Sequence, residues 1–285
     1  MNVYEETKFL MKKYGITANK SLGQNFLIDD NVVENIVKSA NIQENDIVIE
    51  IGPGLGTLTK ELLKVAKKVI CVELDKRMIS ILKERFILYD NLEIINEDIL
   101  KVNLKKIVEQ EKNREDIGSF KIVANLPYYI TTPIIMKLLE KEKCYESIIV
   151  MVQKEVAERL CAAPGQRNAG AITYTVDYYS QAEKILEVSK ESFIPPPEVD
   201  SAVIKLTIRN TPKVQLKNEE MFFKIIKLAF MQRRKTILNA LSSNNEIFRS
   251  KEQIKEILKE LKIDEKTRGE NLKLEQFAQI ANKIS

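Results

Sequence analysis

The stretch Asp46-Ile47-Val48-Ile49-Glu50-Ile51 runs without a break into Gly52-Pro53-Gly54-Leu55-Gly56, and a helix-like pattern of Thr57, Leu58, Glu61, Leu62, Leu63 and Val65 follows at once. A short, nearly continuous apolar run is the mark of a strand buried on both faces, as in a parallel sheet. Three glycines in five residues let the backbone turn sharply and let a ligand approach it, and the start of the next helix points free N–H groups outward. Together these features constrain the chain to an α/β fold with a nucleotide-type cradle at the carboxyl end of a strand.

A second run, Lys68-Val69-Ile70-Cys71-Val72-Glu73-Leu74, carries an acidic residue near its end. A carboxylate there reaches across the crevice at the strand tips, which places Glu73 to bind ribose hydroxyls in either a nicotinamide or an S-adenosylmethionine fold. The glycine spacing separates the two. The dinucleotide fingerprint wants glycine at the first, third and sixth positions, and the sixth here is Thr57; alternate glycines behind Glu50 look instead like the S-adenosylmethionine turn. A third run, Leu92 to Asn96, leads to Glu97-Asp98-Ile99-Leu100. Asp98 has two readings, as acceptor for the cofactor's adenine amino group or as the N-cap of a helix from Lys101.

After a fourth run, Phe120 to Ala124, comes Asn125-Leu126-Pro127-Tyr128, which suits a planar amino group. The exocyclic nitrogen of adenine or cytosine has its lone pair delocalised into the ring. It becomes nucleophilic when its N–H bonds are accepted and it pyramidalises. Asn125 offers a side-chain oxygen for one N–H, the Leu126-Pro127 turn offers a main-chain carbonyl for the other, and Pro127 stiffens the turn. Tyr128 gives a face on which an extruded base stacks. The plainer reading is a turn with a buried tyrosine, since Asn and Pro are common turn residues. Further on, Pro195-Pro196-Pro197 forms a stiff extended stretch expected to hold Phe193 against the other face of the base; otherwise Phe193 is a buried loop residue.

The 285 residues include no histidine, which excludes imidazole-based triads and relays. Hydrogen-bond acceptors facing a charged electrophile survive that exclusion. Cys71, Cys144 and Cys161 are odd in number and far apart, so neither a disulfide framework nor a metal site is expected. Met1 to Lys13 lacks the apolar segment of a signal peptide and no run approaches the ~20 apolar residues of a membrane span, so a cytoplasmic location away from membranes is expected. The net charge of +4 is unevenly spread: residues 211–285 carry 16 Lys and Arg against 10 Asp and Glu, and residues 1–210 carry 29 against 31. Past the break Asn210-Thr211-Pro212 the apolar spacing is helical, with Met221, Phe222, Ile225, Leu228 and Ala229, then Ile237, Leu238 and Leu241, then Ile254, Ile257, Leu258 and Leu261. Arg233-Arg234-Lys235 reads as mid-helix, either making phosphate contacts at the mouth of the cleft or forming a solvated face.

Lys20-Ser21-Leu22-Gly23-Gln24-Asn25-Phe26-Leu27, Glu50 to Thr59, Glu73-Leu74-Asp75, Glu97-Asp98, Asn125 to Tyr128 and Phe193 to Pro197 stand in the order found in the rRNA adenine-N6,N6-dimethyltransferases. The chain resembles that family over nearly its whole length, most of all its bacterial small-subunit (16S) branch. The resemblance implies S-adenosylmethionine contacts from Asn25, Leu27, Gly52, Glu73, Asp98 and Asn125. It implies a target of two adjacent adenosines in the hairpin near the 3′ end of 16S rRNA, each methylated twice during small-subunit biogenesis. The catalytic group is then Asn125, Leu126, Pro127, Tyr128 and Phe193, in a monomer. Three rivals share some of these features: a large-subunit (23S) dimethylase giving macrolide resistance, disfavoured by Leu126 and the long tail; a non-catalytic rRNA-binding assembly factor; and an NAD oxidoreductase. The expected architecture is a Rossmann-like α/β methyltransferase sheet domain over residues 1–208, with strands near 47–51, 69–74, 92–96, 121–125, 147–152, 179–188 and 202–208. A small all-α, RNA-facing domain is expected over 209–285.

Overall fold

The computed structural model describes residues 1–19, 22–113, 116–142, 144–243 and 250–284, so Lys20 and Ser21 of the first shared motif lie outside the described residues. The chain forms two compact units, one of Met1–Ala157 with Ala182–Ile208, the other of Glu158–Gln181 with Arg209–Ser285. Residues 158–181, expected in the sheet domain, thus pack with the helices beyond Arg209.

The described strands are β1 (Phe26–Leu27), β2 (Ile47–Ile51), β3 (Lys68–Glu73), β4 (Leu92–Asn96), β5 (Phe120–Asn125), β6 (Ser147–Gln153), β7 (Ser180–Val188), β8 (Phe193–Ile194) and β9 (Ser201–Ile208). Seven of them make one sheet in the order β4-β3-β2-β5-β6-β9-β7. The pairs from β4 to β6 are parallel, and β9 runs antiparallel to β6. Every expected strand is present with its ends moved by one residue at most; the central strands, covered on both faces, show plainly in their apolar runs. In this first unit the helices are α1 (Val3–Lys13), α2 (Asp30–Ala40), α3 (Thr57–Leu62), α4 (Lys76–Arg85), α5 (Leu104–Lys112), α6 (Thr131–Lys137) and the start of α7 (Lys154–Leu160). Helix α2 packs on β5, β6 and β9, and α4 packs on β3 and β4. The N-cap of α2 is Asp29, whose side chain accepts from the N–H groups of Asn31 and Val32.

The sequence visits β2, β3 and β4 outward to one edge and then returns to β5 on the other side of β2. That reversal opens a crevice at the carboxyl ends of β2 and β5, where Ile51 lies opposite Ala124. At the amino end of the same strands a buried ion pair joins them. Lys121 Nζ lies 2.7 Å from Asp46 Oδ2, both side chains are 2% exposed, and Lys121 also donates to the Asn41 carbonyl at 2.6 Å.

The helix expected from Lys101 begins at Leu104 instead, with Asn103 as its N-cap. Asp98 closes a separate turn first: its Oδ1 accepts from Leu100 N–H at 2.9 Å and its carbonyl from Lys101 and Val102 N–H.

The second unit contains the end of α7, then α8 (Ala171–Tyr179), α9 (Glu219–Met231), α10 (Ile237–Leu241), α11 (Lys251–Glu260) and α12 (Leu274–Ile284). Tyr174 of α8 packs its ring on Phe230 and Phe277, and the Tyr178 and Tyr179 hydroxyls both bond Glu219 on α9. These contacts draw 158–181 out of the sheet domain. Arg233-Arg234-Lys235 does not lie mid-helix; α9 ends at Met231, Lys235 N–H closes a turn on the Gln232 carbonyl at 2.8 Å, and Thr236 caps α10. No helix among the described residues is long and apolar enough to cross a membrane.

Candidate active site

A cavity opens at the carboxyl ends of β2 and β5, lined within the first unit by Gln24 to Leu27, Glu50 to Leu55, Glu73, Asp98 and Asn125 to Ile130. The turn after β2 is a glycine requirement. Gly56 has φ +83°, and a Cβ there would lie 2.6 Å from the Phe86 ring and 2.8 Å from Leu82. Gly52 has φ +66° and open space where its Cβ would be, so the backbone itself forms the cavity wall.

Two carboxyl groups stand behind this turn. Glu50 is 1% exposed and accepts from the Thr59 hydroxyl at 2.6 Å and the Cys71 thiol at 3.5 Å. Burial pushes its carboxyl up to about 7. Glu73 ends β3; its Oε2 accepts from Gly54 N–H at 3.2 Å and its Oε1 from Asp75 N–H at 2.8 Å. Burial raises this carboxyl too, against the pull of those N–H groups.

Across the crevice, Leu126 N–H donates to the Met151 carbonyl at 3.1 Å, which fastens the Asn125–Tyr128 turn to β6. The Asn125 amide donates its Nδ2 to the Asn25 carbonyl at 3.1 Å, so its Oδ1 is the end left to accept. Of the two turn carbonyls, that of Pro127 already takes the Thr131 hydroxyl at 3.0 Å and Ile130 N–H at 3.3 Å. The Leu126 carbonyl is therefore the second acceptor the turn can present. Tyr128 is half-buried, with its hydroxyl 2.6 Å from Ser201 Oγ, and burial raises its phenol above the ordinary range.

Of the residues singled out by sequence, Asn25, Leu27, Gly52, Glu73, Asp98, Asn125, Leu126, Pro127 and Tyr128 all line this one cavity. Phe193 does not. It is 2% exposed, lies opposite Leu27 in the β1–β8 pair, and packs among Val32, Val188 and other core residues. Burying a phenylalanine is worth ~1.5–3 kcal/mol, about what stacking on a base returns. Drawing the ring out brings no net gain, and in this structure Phe193 takes the buried position, away from the cavity. Arg233, Arg234 and Lys235 belong to the second unit and are exposed. Arg233 is partly committed there, donating to the Ala169 carbonyl at 2.6 Å and lying 3.7 Å from Glu270.

Sequence reasoning passed over three contributors. Gln24 ties the loop before β1 by donating to Asp75 Oδ2 at 3.0 Å and accepting from Asn19 N–H at 2.9 Å. Ser201 anchors Tyr128, and only the β6–β9 pairing brings it there. Tyr129 stands 57% exposed at the cavity rim. Its signal was present, an aromatic residue directly after Tyr128. Among the described residues no cluster of three or more His, Cys, Asp or Glu side chains is arranged to hold a metal ion.

The profile of the ribosomal RNA adenine dimethylase family matches residues 15–285. The chain is 47% identical over 285 residues to ribosomal RNA small subunit methyltransferase A of Clostridioides difficile strain 630, covering 100% of this chain and 97% of that relative. It is 48% identical over 277 residues to the protein of the same name from Bacillus pumilus strain SAFR-032, covering 97% and 94%. Among solved structures it is similar to a dimethyladenosine transferase from Plasmodium falciparum, with a TM-score of 0.73 and 30% identity over 90% of this chain and 95% of that one. The 23S rRNA methyltransferase ErmE shares the fold, with a TM-score of 0.68 at 23% identity over 91% and 99%. Matched by that profile from residue 15 to its end, and by full-length relatives well above 30% identity, the chain belongs to the ribosomal RNA adenine dimethylase family.

Proposed function

We propose that the protein transfers methyl groups from S-adenosylmethionine to N6 of two adjacent adenosines in the 3′-terminal hairpin of 16S rRNA, dimethylating both within the small ribosomal subunit or its precursor. The observation that carries this reading is the convergence of the glycine turn and the Asn125–Tyr128 turn on one cavity. The names of the relatives favour the small subunit over the large.

The cavity's donor set fits S-adenosylmethionine: carboxylates at Glu73 and Asp98 for hydroxyl and amino groups, open glycine backbone at Gly52, and Asn25 and Leu27 along the facing loop. When bound, this cofactor supplies an electrophilic methyl on a cationic sulfur. Asn125 Oδ1 and the Leu126 carbonyl accept the two N–H bonds of the adenine amine and free its lone pair. Tyr128 holds the base by one face, its ring steadied through Ser201. No general base is required before transfer, because the methylated amine releases its proton to water afterwards. The chemistry is positioning plus electrostatics. Arg233, Arg234 and Lys235 serve as phosphate contacts, which orient RNA without reading its sequence. The protein works in the cytoplasm as a monomer.

The test uses small-subunit particles lacking these methyl groups, labelled S-adenosylmethionine and mass-spectrometric mapping of the rRNA. N6,N6-dimethyladenosine at two adjacent positions of the 3′-terminal hairpin is expected. Label in large-subunit rRNA, or none in either, would overturn the reading.

A further inference from the structure

We propose that Tyr129 is the stacking platform for the nucleotide adjacent to the extruded adenosine, a positioning residue that sets affinity for RNA. The proposal rests on the base-modifying reading of the cavity. Tyr128 to Ile130 form one tight helical turn with three residues per turn, so successive side chains diverge by about 120°. Tyr128 turns inward, its hydroxyl fastened to Ser201 Oγ at 2.6 Å. Tyr129 turns outward and is 57% exposed at the rim of the same cavity.

A lone exposed aromatic needs no explanation. Tyr129 differs because it stands on the turn that carries Asn125 and because it is backed. Gly23 lies so close that a Cβ on it would be 3.1 Å from Tyr129 Cδ1 and 3.3 Å from Cε1, with Pro127 Cβ at 3.5 Å. The ring is supported along one edge by the loop before β1, and the rest of it meets solvent. Extruding a base into the cavity strips one stacking partner from the nucleotide beside it. The RNA strand that enters beside Tyr128 crosses Tyr129 next, and a ring held at that point replaces the lost partner. Any base has a π-face, so the contact favours RNA without selecting sequence.

The experiment uses the full chain as wild type, Tyr129→Ala and Tyr129→Phe, with a hairpin RNA of the target sequence bearing 2-aminopurine beside the target adenosine and S-adenosylhomocysteine present. Wild type and Tyr129→Phe are expected to quench the 2-aminopurine on binding, and Tyr129→Ala to leave it bright. In turnover assays with unlabelled hairpin, Tyr129→Ala should raise KM for RNA about 5- to 150-fold with kcat and cofactor affinity within about twofold. Equal quenching and equal KM in Tyr129→Ala would overturn the proposal. So would a loss of cofactor affinity with RNA KM unchanged, which would make the ring a mere prop for the Gly23 loop. The fluorescence arm needs no methyl transfer, so failure of the wild type to methylate counts against the function proposed above and leaves the stacking result to stand or fall by itself.

Discussion

At the scale of single residues, the proposed chemistry falls on groups whose other ends are already tied. Asn125 commits its Nδ2 to the Asn25 carbonyl, which leaves its oxygen, in the proposed reaction, to meet the substrate without reorganisation. Loss of such a preorganised group typically costs about 2.7–4 kcal/mol of barrier. Asn125→Ala is therefore expected to fold, to bind rRNA, and to transfer methyl groups about 10²- to 10³-fold more slowly at saturating cofactor; a single-turnover rate within a few-fold of wild type would reduce Asn125 to a turn former. Glu50 shows a different constraint. Its folded pKa of about 7 lies above the ~4.3 of an unfolded glutamate, so between those values the folded chain holds a proton that the unfolded chain has lost. Its contribution is fully present below about pH 4 and lost as pH rises through 7. Glu50→Gln keeps an acceptor for Thr59 and removes that slope. Between pH 4 and pH 8, unfolding free energy should shift in favour of the variant by on the order of 3 kcal/mol; parallel curves for the two proteins would show that Glu50 is ionised in place.

Elements bring these residues together through one topological event. The return of the chain from β4 to β5, beside β2, sets two distant turns side by side, and register decides the rest, with Ile51 level with Ala124. The opposite ends of the same strands are pinned by Lys121 and Asp46. Burial alone would raise the Asp46 carboxyl, but the Lys121 ammonium and the N–H groups of Gln43 and Ser119 outweigh it and hold it below the ordinary range. That contribution is present above about pH 4 and disappears as pH falls through the lowered value. Removing one partner strands the other charge, and Lys121→Met should cost about 3–5 kcal/mol in urea unfolding at pH 7, whereas the double change Lys121→Met with Asp46→Leu should cost clearly less. A single change within about 1 kcal/mol of wild type would mean the pair is solvated and weak.

At the scale of the whole molecule, a neutral sheet-bearing sequence is joined to a basic tail. Because Arg233 is held by the Ala169 carbonyl, the sharper test of phosphate contact is the pair Arg234→Ala with Lys235→Ala. That variant should bind rRNA more weakly and flatten the log–log salt dependence by about 0.7–0.9 per lost contact; an unchanged slope would return the cluster to a solvated surface. Much of this architecture was legible beforehand. Central strands covered on both faces show as largely apolar runs, and a turn at positive φ calls for glycine; both demands are local and leave their mark in the residues themselves. The rest depended on partners far away along the chain. Nothing local shows that Phe193 lies buried opposite Leu27 and not at the cavity, that Tyr174 pulls 158–181 towards Phe277, or that Ser201 will stand behind Tyr128. A second unit that begins inside the first unit's sequence is likewise invisible to periodicity. By itself, the sequence determined strand positions, the glycine turn and the Asn125–Tyr128 turn, because those are conditions on backbone and burial. Only the tertiary structure decided which aromatic ring is core and which stands at the cavity rim, because that choice is a competition between contacts made across the fold.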